Sequence, residues 1–154
     1  MNRIAPLLPE AYILLDVDAA TKKRLFEQIA QLFEEHAKLS APAVLACLSA
    51  RERLGSTGLG QGIAIPHGRL KGLKQAVGAF VRPRHPIPFD APDGKPVTQV
   101  FVLLVPEQAT DEHLQLLSEL AEMFSAREFR DRIGAATDAA GVHGLFENWV
   151  PEPQ

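Results

Sequence analysis

Apolar residues recur at helical spacing between Thr21 and Ala37, where Leu25, Phe26, Ile29, Leu32 and Phe33 share one face. This predicts a helix with one buried side, capped by Asp18 or Thr21. A second helix is expected after Ser40, a suitable N-cap, with Pro42 tolerated in its first turn. It runs through Val44, Leu45 and Leu48 and stops by Gly55. Val44, Leu48 and Arg51 follow one another at i, i+4 and i+7, which places Arg51 near the buried side, close to the C-terminus. The pattern then changes. Gly55-Ser-Thr-Gly-Leu-Gly-Gln-Gly62 reads as a glycine-rich loop and Ile63-Ala-Ile65 as a short strand. Pro66 ends that strand's donor pattern and biases Ile65 towards extended backbone. Further strands are expected at Ala76–Val81, around Ile87–Phe89 and at Val97–Val105. The last ends almost continuously apolar, as a strand buried on both faces does. Pro83, Pro86, Pro88 and Asp93-Gly94 mark the turns between them. A third long helix is predicted over Asp111–Ser125, with Thr110 or Asp111 as N-cap and His113, Leu117, Leu120 and Phe124 on one stripe. Two short helices follow, near Glu128–Ile133 and Asp138–Phe146. Helices before, between and after the strands predict an α/β sandwich with helices covering a central sheet. Strand order and direction do not follow from the pattern.

Composition narrows the function. The 154 residues suit one domain and a core that needs no staples. We expect that domain over residues 1–150, with Pro151-Glu-Pro-Gln154 a frayed tail. A net charge of −3 leaves no basic excess to neutralise phosphates, which argues against a general nucleic-acid binder. One cysteine, Cys47, excludes an internal disulfide and a multi-cysteine metal site within the chain. It is expected to lie buried and inert on the second helix. The longest strongly apolar run, Val100 to Val105, falls far short of the roughly 20 residues that cross a bilayer. The first residues lack the apolar core of a signal peptide. These points predict a soluble cytoplasmic protein without membrane insertion.

His67 is the first candidate for chemistry. It stands at a strand end between a rigid proline and a permissive glycine, and its ring is a nucleophile near neutral pH. Gly68 leaves room for a ligand to approach the main chain. The competing reading is a histidine that fills the strand end and bonds a nearby carbonyl. His113 is the second candidate, in the first turn of a helix, where free amides and the helix dipole favour an anion. Alternatively it packs on Leu117 at the edge of the core. Arg51 is the third, because a guanidinium suits bidentate recognition of phosphate. Its competing reading is a salt bridge to Glu52, Glu107 or another carboxylate; Arg53 is the more solvated neighbour. The glycine-rich loop lacks the lysine of a P-loop and leads into a strand rather than a helix, so it does not match a nucleotide fingerprint. Its amides and the hydroxyls of Ser56 and Thr57 can still cradle a phosphoryl group. His36, His85 and His143 are dispersed, the first and last expected at helix ends and His85 in a turn, and no metal-binding spacing appears. Asp90 and Asp93 read as loop acids. No Gly-x-Ser-x-Gly elbow is present.

Two stretches together resemble a known family. Arg51-Glu-Arg-Leu-Gly-Ser-Thr-Gly-Leu-Gly-Gln-Gly-Ile-Ala-Ile-Pro-His67-Gly-Arg is similar to the signature of the fructose/mannitol-type enzyme IIA domains of the bacterial phosphotransferase system, most of all the nitrogen-regulatory branch. Leu103 to Ser118, with His113 inside it, resembles that family's second motif. The likeness runs from the first helix to the last. It implies a mixed central sheet with helices on both sides. It implies that His67 accepts a phosphoryl group, that His113 hydrogen-bonds it, and that Arg51 is the active-site arginine. Together with Ser56, Thr57 and Gly68 they form the expected phosphoryl site, with no metal, nucleotide or other cofactor. The implied donor is a small histidine phosphocarrier protein charged from phosphoenolpyruvate through an enzyme I. The implied outputs are protein contacts, including potassium transporters and sensor kinases. The alternatives are a sugar-specific enzyme IIA that passes phosphate to an enzyme IIB, and a binding module that is not phosphorylated.

Overall fold

A computed structural model describes residues 2–108 and 110–151. Its centre is a mixed sheet with the path β1–β5–β6–β3–β2, in which β4 also pairs with β6. The strands are β1 (Ile13–Val17), β2 (Gly58–Gly60), β3 (Ile63–Ala64), β4 (His67–Leu70), β5 (Val77–Pro83) and β6 (Gln99–Pro106). Two helices, α1 (Lys22–Ala37) and α2 (Ala41–Leu54), cover one face. Three helices, α3 (Asp111–Ser125), α4 (Arg127–Ala135) and α5 (Ala139–Asn148), cover the other. The mixed sheet and its two helical layers are those expected.

The chain's pattern explains this layering. Successive strand side chains point to opposite faces. Along β6, Val100, Val102 and Leu104 therefore pack under α1 and α2, while Phe101 and Leu103 pack under α3 to α5. All five are fully buried, which is why this strand reads as continuously apolar. Under the second layer, Phe146 meets the rings of Phe80, Phe101, Phe124 and Phe129 with centroids 5.3–5.9 Å apart.

The helix caps follow local chemistry. The Thr21 side chain accepts from the Arg24 amide, so Thr21 rather than Asp18 caps α1. Ser40 caps α2 by accepting from the Ala43 amide, with Pro42 in the first turn. Asp138 caps α5 by accepting from Gly141.

Four expectations need correction. The pattern did not reveal β1, an edge strand that pairs in parallel with β5 and shifts register around Asp16, whose φ is 55°. That bulge breaks the alternation a strand needs to be visible in sequence. Second, Ile87–Phe89 is not a strand: only Ile87 makes an isolated bridge, to Val97. Pro86 and Pro88 have no N–H to offer a ladder. Third, the glycine-rich segment contains β2, which forms a hairpin with β3. Its turn residues Gln61 and Gly62 have φ of 60° and 79°, as a type I′ turn requires. Fourth, His143 lies in the body of α5, with Nδ1 3.7 Å from Glu147, not at a helix end. Of the expected tail, residues 152–154 lie outside the described residues.

Candidate functional site

The segment from Gly55 to Leu70 builds the site around one proline. β3 pairs in parallel with β6 from Ile63 opposite Gln99, and β4 resumes the same register with His67 opposite Leu103. Pro66 interrupts the ladder because it lacks a donor, yet its carbonyl accepts from the Leu103 amide at 2.9 Å. His67 therefore does not close the strand of Ile63 and Ala64. It opens a second strand in register with the first. Its partner Leu103 faces the α3 side, and His67 shares that face.

The imidazole of His67 is held by its own backbone. Nδ1 lies 2.8 Å from the Ile65 carbonyl oxygen. A carbonyl only accepts, so Nδ1 carries the proton and donates it. In the neutral ring the lone pair is then on Nε2. The carbonyl bond that competed with catalysis as an explanation of His67 is present, and it leaves the other nitrogen for chemistry.

His113 is fixed in the opposite sense. It occupies the third position of α3, and its Nδ1 accepts from the Thr110 amide at 3.0 Å. This is the capping-box position where Glu or Gln usually sits. An accepting Nδ1 is unprotonated, so the neutral ring carries its proton on Nε2. One imidazole thus offers a lone pair at Nε2 and the other offers a hydrogen there.

Arg51 lies in the last turn of α2, half-buried, and its Nη1 donates to the Gly55 carbonyl at 2.9 Å. Among the described residues no carboxylate, Glu52 and Glu107 included, forms a salt bridge with it. Glu52 instead bonds Lys22 and Thr57. All three residues line one cavity of about 580 Å³, with Cys47, Leu54, Gly68, Leu103, Val105, Leu114 and Leu117 among its walls. A neighbouring cavity of about 340 Å³ shares His67, Arg51 and Leu117 and adds Ser56 and Thr57. The structure therefore distributes the six residues singled out from sequence over two adjoining cavities that share His67 and Arg51.

Their states differ from a simple phosphate cradle. The Ser56 hydroxyl donates to the Phe89 carbonyl and accepts from the Gly58 amide. The Thr57 hydroxyl donates to Glu52, and Thr57 is buried. Gly68 is needed for packing: a Cβ there would lie 2.5 Å from Cys47 Sγ. Gly60 and Gly62, with positive φ, serve the hairpin turn. Cys47 is half-buried rather than buried, and its thiol donates to the Arg69 carbonyl at 3.3 Å. Desolvation pushes its pKa above the ordinary thiol value, so it rests as the thiol. Asp93 accepts from the amides of Lys95 and Gln61, and those bonds hold its pKa below the usual carboxylate value. Its role is to brace the hairpin.

Sequence reasoning missed the apolar rim. Leu54, Leu59 and Leu114 are 86%, 50% and 57% exposed and all line these cavities. The available signal was an apolar residue off the buried stripe of its element: Leu54 beside Arg53, Leu114 beside His113. It also missed Thr110 as the residue that sets the His113 proton. Thr110-x-x-His113 has the spacing of a capping box and would have shown it. No three His, Cys, Asp or Glu side chains converge on a metal-sized site among the described residues. Nor is any helix among them long and apolar enough to cross a membrane.

Comparison with known proteins places the whole chain among relatives. Residues 6–149 match the family described as phosphoenolpyruvate-dependent sugar phosphotransferase system, EIIA 2. A nitrogen regulatory protein of Pseudomonas aeruginosa is 44% identical over 146 residues, covering 94% of this chain and 95% of that one. The crystal structure of nitrogen regulatory protein IIA-Ntr from Neisseria meningitidis superposes with a TM-score of 0.87 at 53% identity, covering 92% of this chain and 97% of that chain. A fructose-specific EIIA component of Haloferax volcanii is 33% identical over 148 residues, covering 96% of each chain.

Proposed function

Since the chain belongs to the EIIA 2 family of the phosphoenolpyruvate-dependent sugar phosphotransferase system, with nitrogen regulatory proteins among its relatives, we propose that it is a regulatory phosphocarrier that takes a phosphoryl group on Nε2 of His67. The observation that carries this reading is the pair of complementary histidines on one cavity. His67 offers a lone pair at Nε2 because Ile65 holds its Nδ1 proton. His113 offers an Nε2 hydrogen because Thr110 bonds its Nδ1.

The step balances without proton transfer at His67. The Nε2 lone pair forms a bond to phosphorus as the bond from phosphorus to the donor's ring nitrogen breaks. The departing nitrogen keeps that electron pair. The positive charge left on the His67 ring is shared with Nδ1–H, which the Ile65 carbonyl already accepts. The transition state is loose, with charge on three equatorial oxygens, and the protein's task is to position the group and stabilise that charge. Arg51 and the Nε2–H of His113 take that role. Gly68 and Ser56 act through the main chain, whereas Thr57, with its hydroxyl and its amide both held by Glu52, supports the site from behind; the Ser56 hydroxyl is engaged with Phe89. The apolar rim suits a protein donor, a histidine phosphocarrier, since it can be covered on docking. Phosphorylation then replaces a nearly neutral surface with a dianion, which switches binding to regulated proteins such as potassium transporters or sensor kinases.

The test is intact mass after incubation with phosphoenolpyruvate, an enzyme I and a histidine phosphocarrier, with His67→Ala beside it. One acid-labile phosphoryl group, absent from the variant, is expected. No gain in mass from a demonstrably charged donor would overturn the carrier reading. The similarity to the Haloferax volcanii component favours the second reading, a sugar-specific EIIA. Onward transfer through an enzyme IIB to a sugar would establish it instead.

A further inference from the structure

We propose that Glu52 is a positioning residue that fixes the reactive tautomer and orientation of His67 through two peptide units, without touching the imidazole. The proposal rests on the phosphoryl-acceptor reading of His67 for its consequence in transfer, but not for its geometry.

The Glu52 side chain is only 7% exposed, although it belongs to the last turn of a helix that ends in solvent. Both of its oxygens are used. Oε2 accepts from the Thr57 amide at 2.9 Å and from Lys22 Nζ at 3.2 Å. Oε1 accepts from the Thr57 hydroxyl. Thr57 is thus gripped at its amide and its side chain by one carboxylate. Its carbonyl, on the far side of the same residue, accepts from the Ile65 amide at 3.0 Å. The Ile65 carbonyl in turn accepts from His67 Nδ1 at 2.8 Å. The route from Glu52 to the nucleophile is therefore continuous: carboxylate, Thr57, Ile65, imidazole.

Glu52 also acts on Arg51 through the backbone. The Arg51 guanidinium donates to the Gly55 carbonyl, two residues before Thr57. Holding Thr57 to Glu52 closes the chain after α2 into a short loop and sets where that carbonyl lies. A buried, fully bonded carboxylate here is more than a generic ion pair, because Lys22 alone needs only one of its oxygens. Lys22 has other partners as well, the Phe89 carbonyl at 3.3 Å and the Phe89 ring at 4.9 Å. That difference separates positioning from stabilisation. Lys22 shares the carboxylate but stands outside the route to His67.

The experiment is ¹⁵N NMR of the imidazole rings in the unphosphorylated protein, which reads each tautomer directly, with transfer rates measured alongside. Glu52→Gln keeps the shape but turns one acceptor into a donor. It is expected to move His67 from predominantly Nδ1–H to a mixture of tautomers, leave the His113 signals in place, and slow phosphoryl acceptance about tenfold or more, since small misplacements at a reacting centre are costly. Thr57→Val, which keeps the amide bond and loses the hydroxyl, should shift His67 in the same direction by less, and it serves if Glu52→Gln does not fold. Lys22→Met should lower the unfolding midpoint and leave the His67 tautomer unchanged. An unshifted His67 ring in folded Glu52→Gln overturns the proposal, as does an equal shift in Lys22→Met. Failure of the unaltered protein to accept phosphate would overturn the carrier reading while the tautomer shift still decided the role of Glu52.

Discussion

A single methyl group added at Gly68 should disturb both stability and transfer. The Cβ of Gly68→Ala would lie 2.5 Å from Cys47 Sγ, while the Cys47 carbonyl oxygen and carbon sit at 3.7 and 4.0 Å. Ordinary contacts fall near 3.5–4.0 Å, so β4 and α2 must separate by about 1 Å at this point. Cys47 Sγ has little freedom to turn away, because it is bonded to the Arg69 carbonyl. Overpacking of this kind costs about 1–3 kcal/mol. The separation also carries Arg51, one turn along α2 from Cys47, away from His67, the residue before Gly68. Urea unfolding of Gly68→Ala should show that loss at unchanged m-value, and phosphoryl acceptance should slow. Cys47→Ala removes the offending sulfur. The double variant should recover most of the stability and the rate, with a coupling of at least about 0.5 kcal/mol. A stable Gly68→Ala, or additive effects in the double variant, would refute the packing argument.

Other outcomes can be measured on the same protein. Arg51→Ala should slow phosphoryl transfer by about 10²-fold, the usual cost of one lost charge-stabilising donor, while costing only about 1 kcal/mol in stability; normal transfer would remove Arg51 from the site. Phe146→Ala should lose about 3–5 kcal/mol in urea unfolding, because four rings pack against that side chain. Burial raises the Cys47 thiol pKa, so alkylation at pH 7 should be slower than for an unfolded control. Because the folded value lies above the unfolded one, the thiol's contribution is complete below the unfolded pKa of about 8.5 and fades as pH rises through the folded value. The difference in unfolding midpoint between the unaltered protein and Cys47→Ala should shift accordingly only at alkaline pH.

Much of this molecule is written locally. Thr21 and Ser40 start their helices because a short hydroxyl side chain bonds free amides wherever a helix begins, and that chemistry spans three or four residues. The apolar run of β6 was legible because a central strand buries both faces whatever its neighbours are. Arg51, His67 and His113 stood out through residue type, position in their elements and family likeness. The tertiary structure decided the rest. β1 exists because β5 supplies its hydrogen-bond partners from far along the chain, and Asp16 at positive φ hides its alternation. The strand through Pro66 continues because β6 keeps the register and uses the proline's carbonyl rather than a missing amide. The nitrogen of each imidazole that is free depends on which backbone group faces the other nitrogen, Ile65 O for His67 and Thr110 N for His113. Residue type makes a histidine able to act as nucleophile or donor. Only the folded backbone chooses between the two, because the choice is a hydrogen bond whose partner's orientation no side-chain pattern specifies.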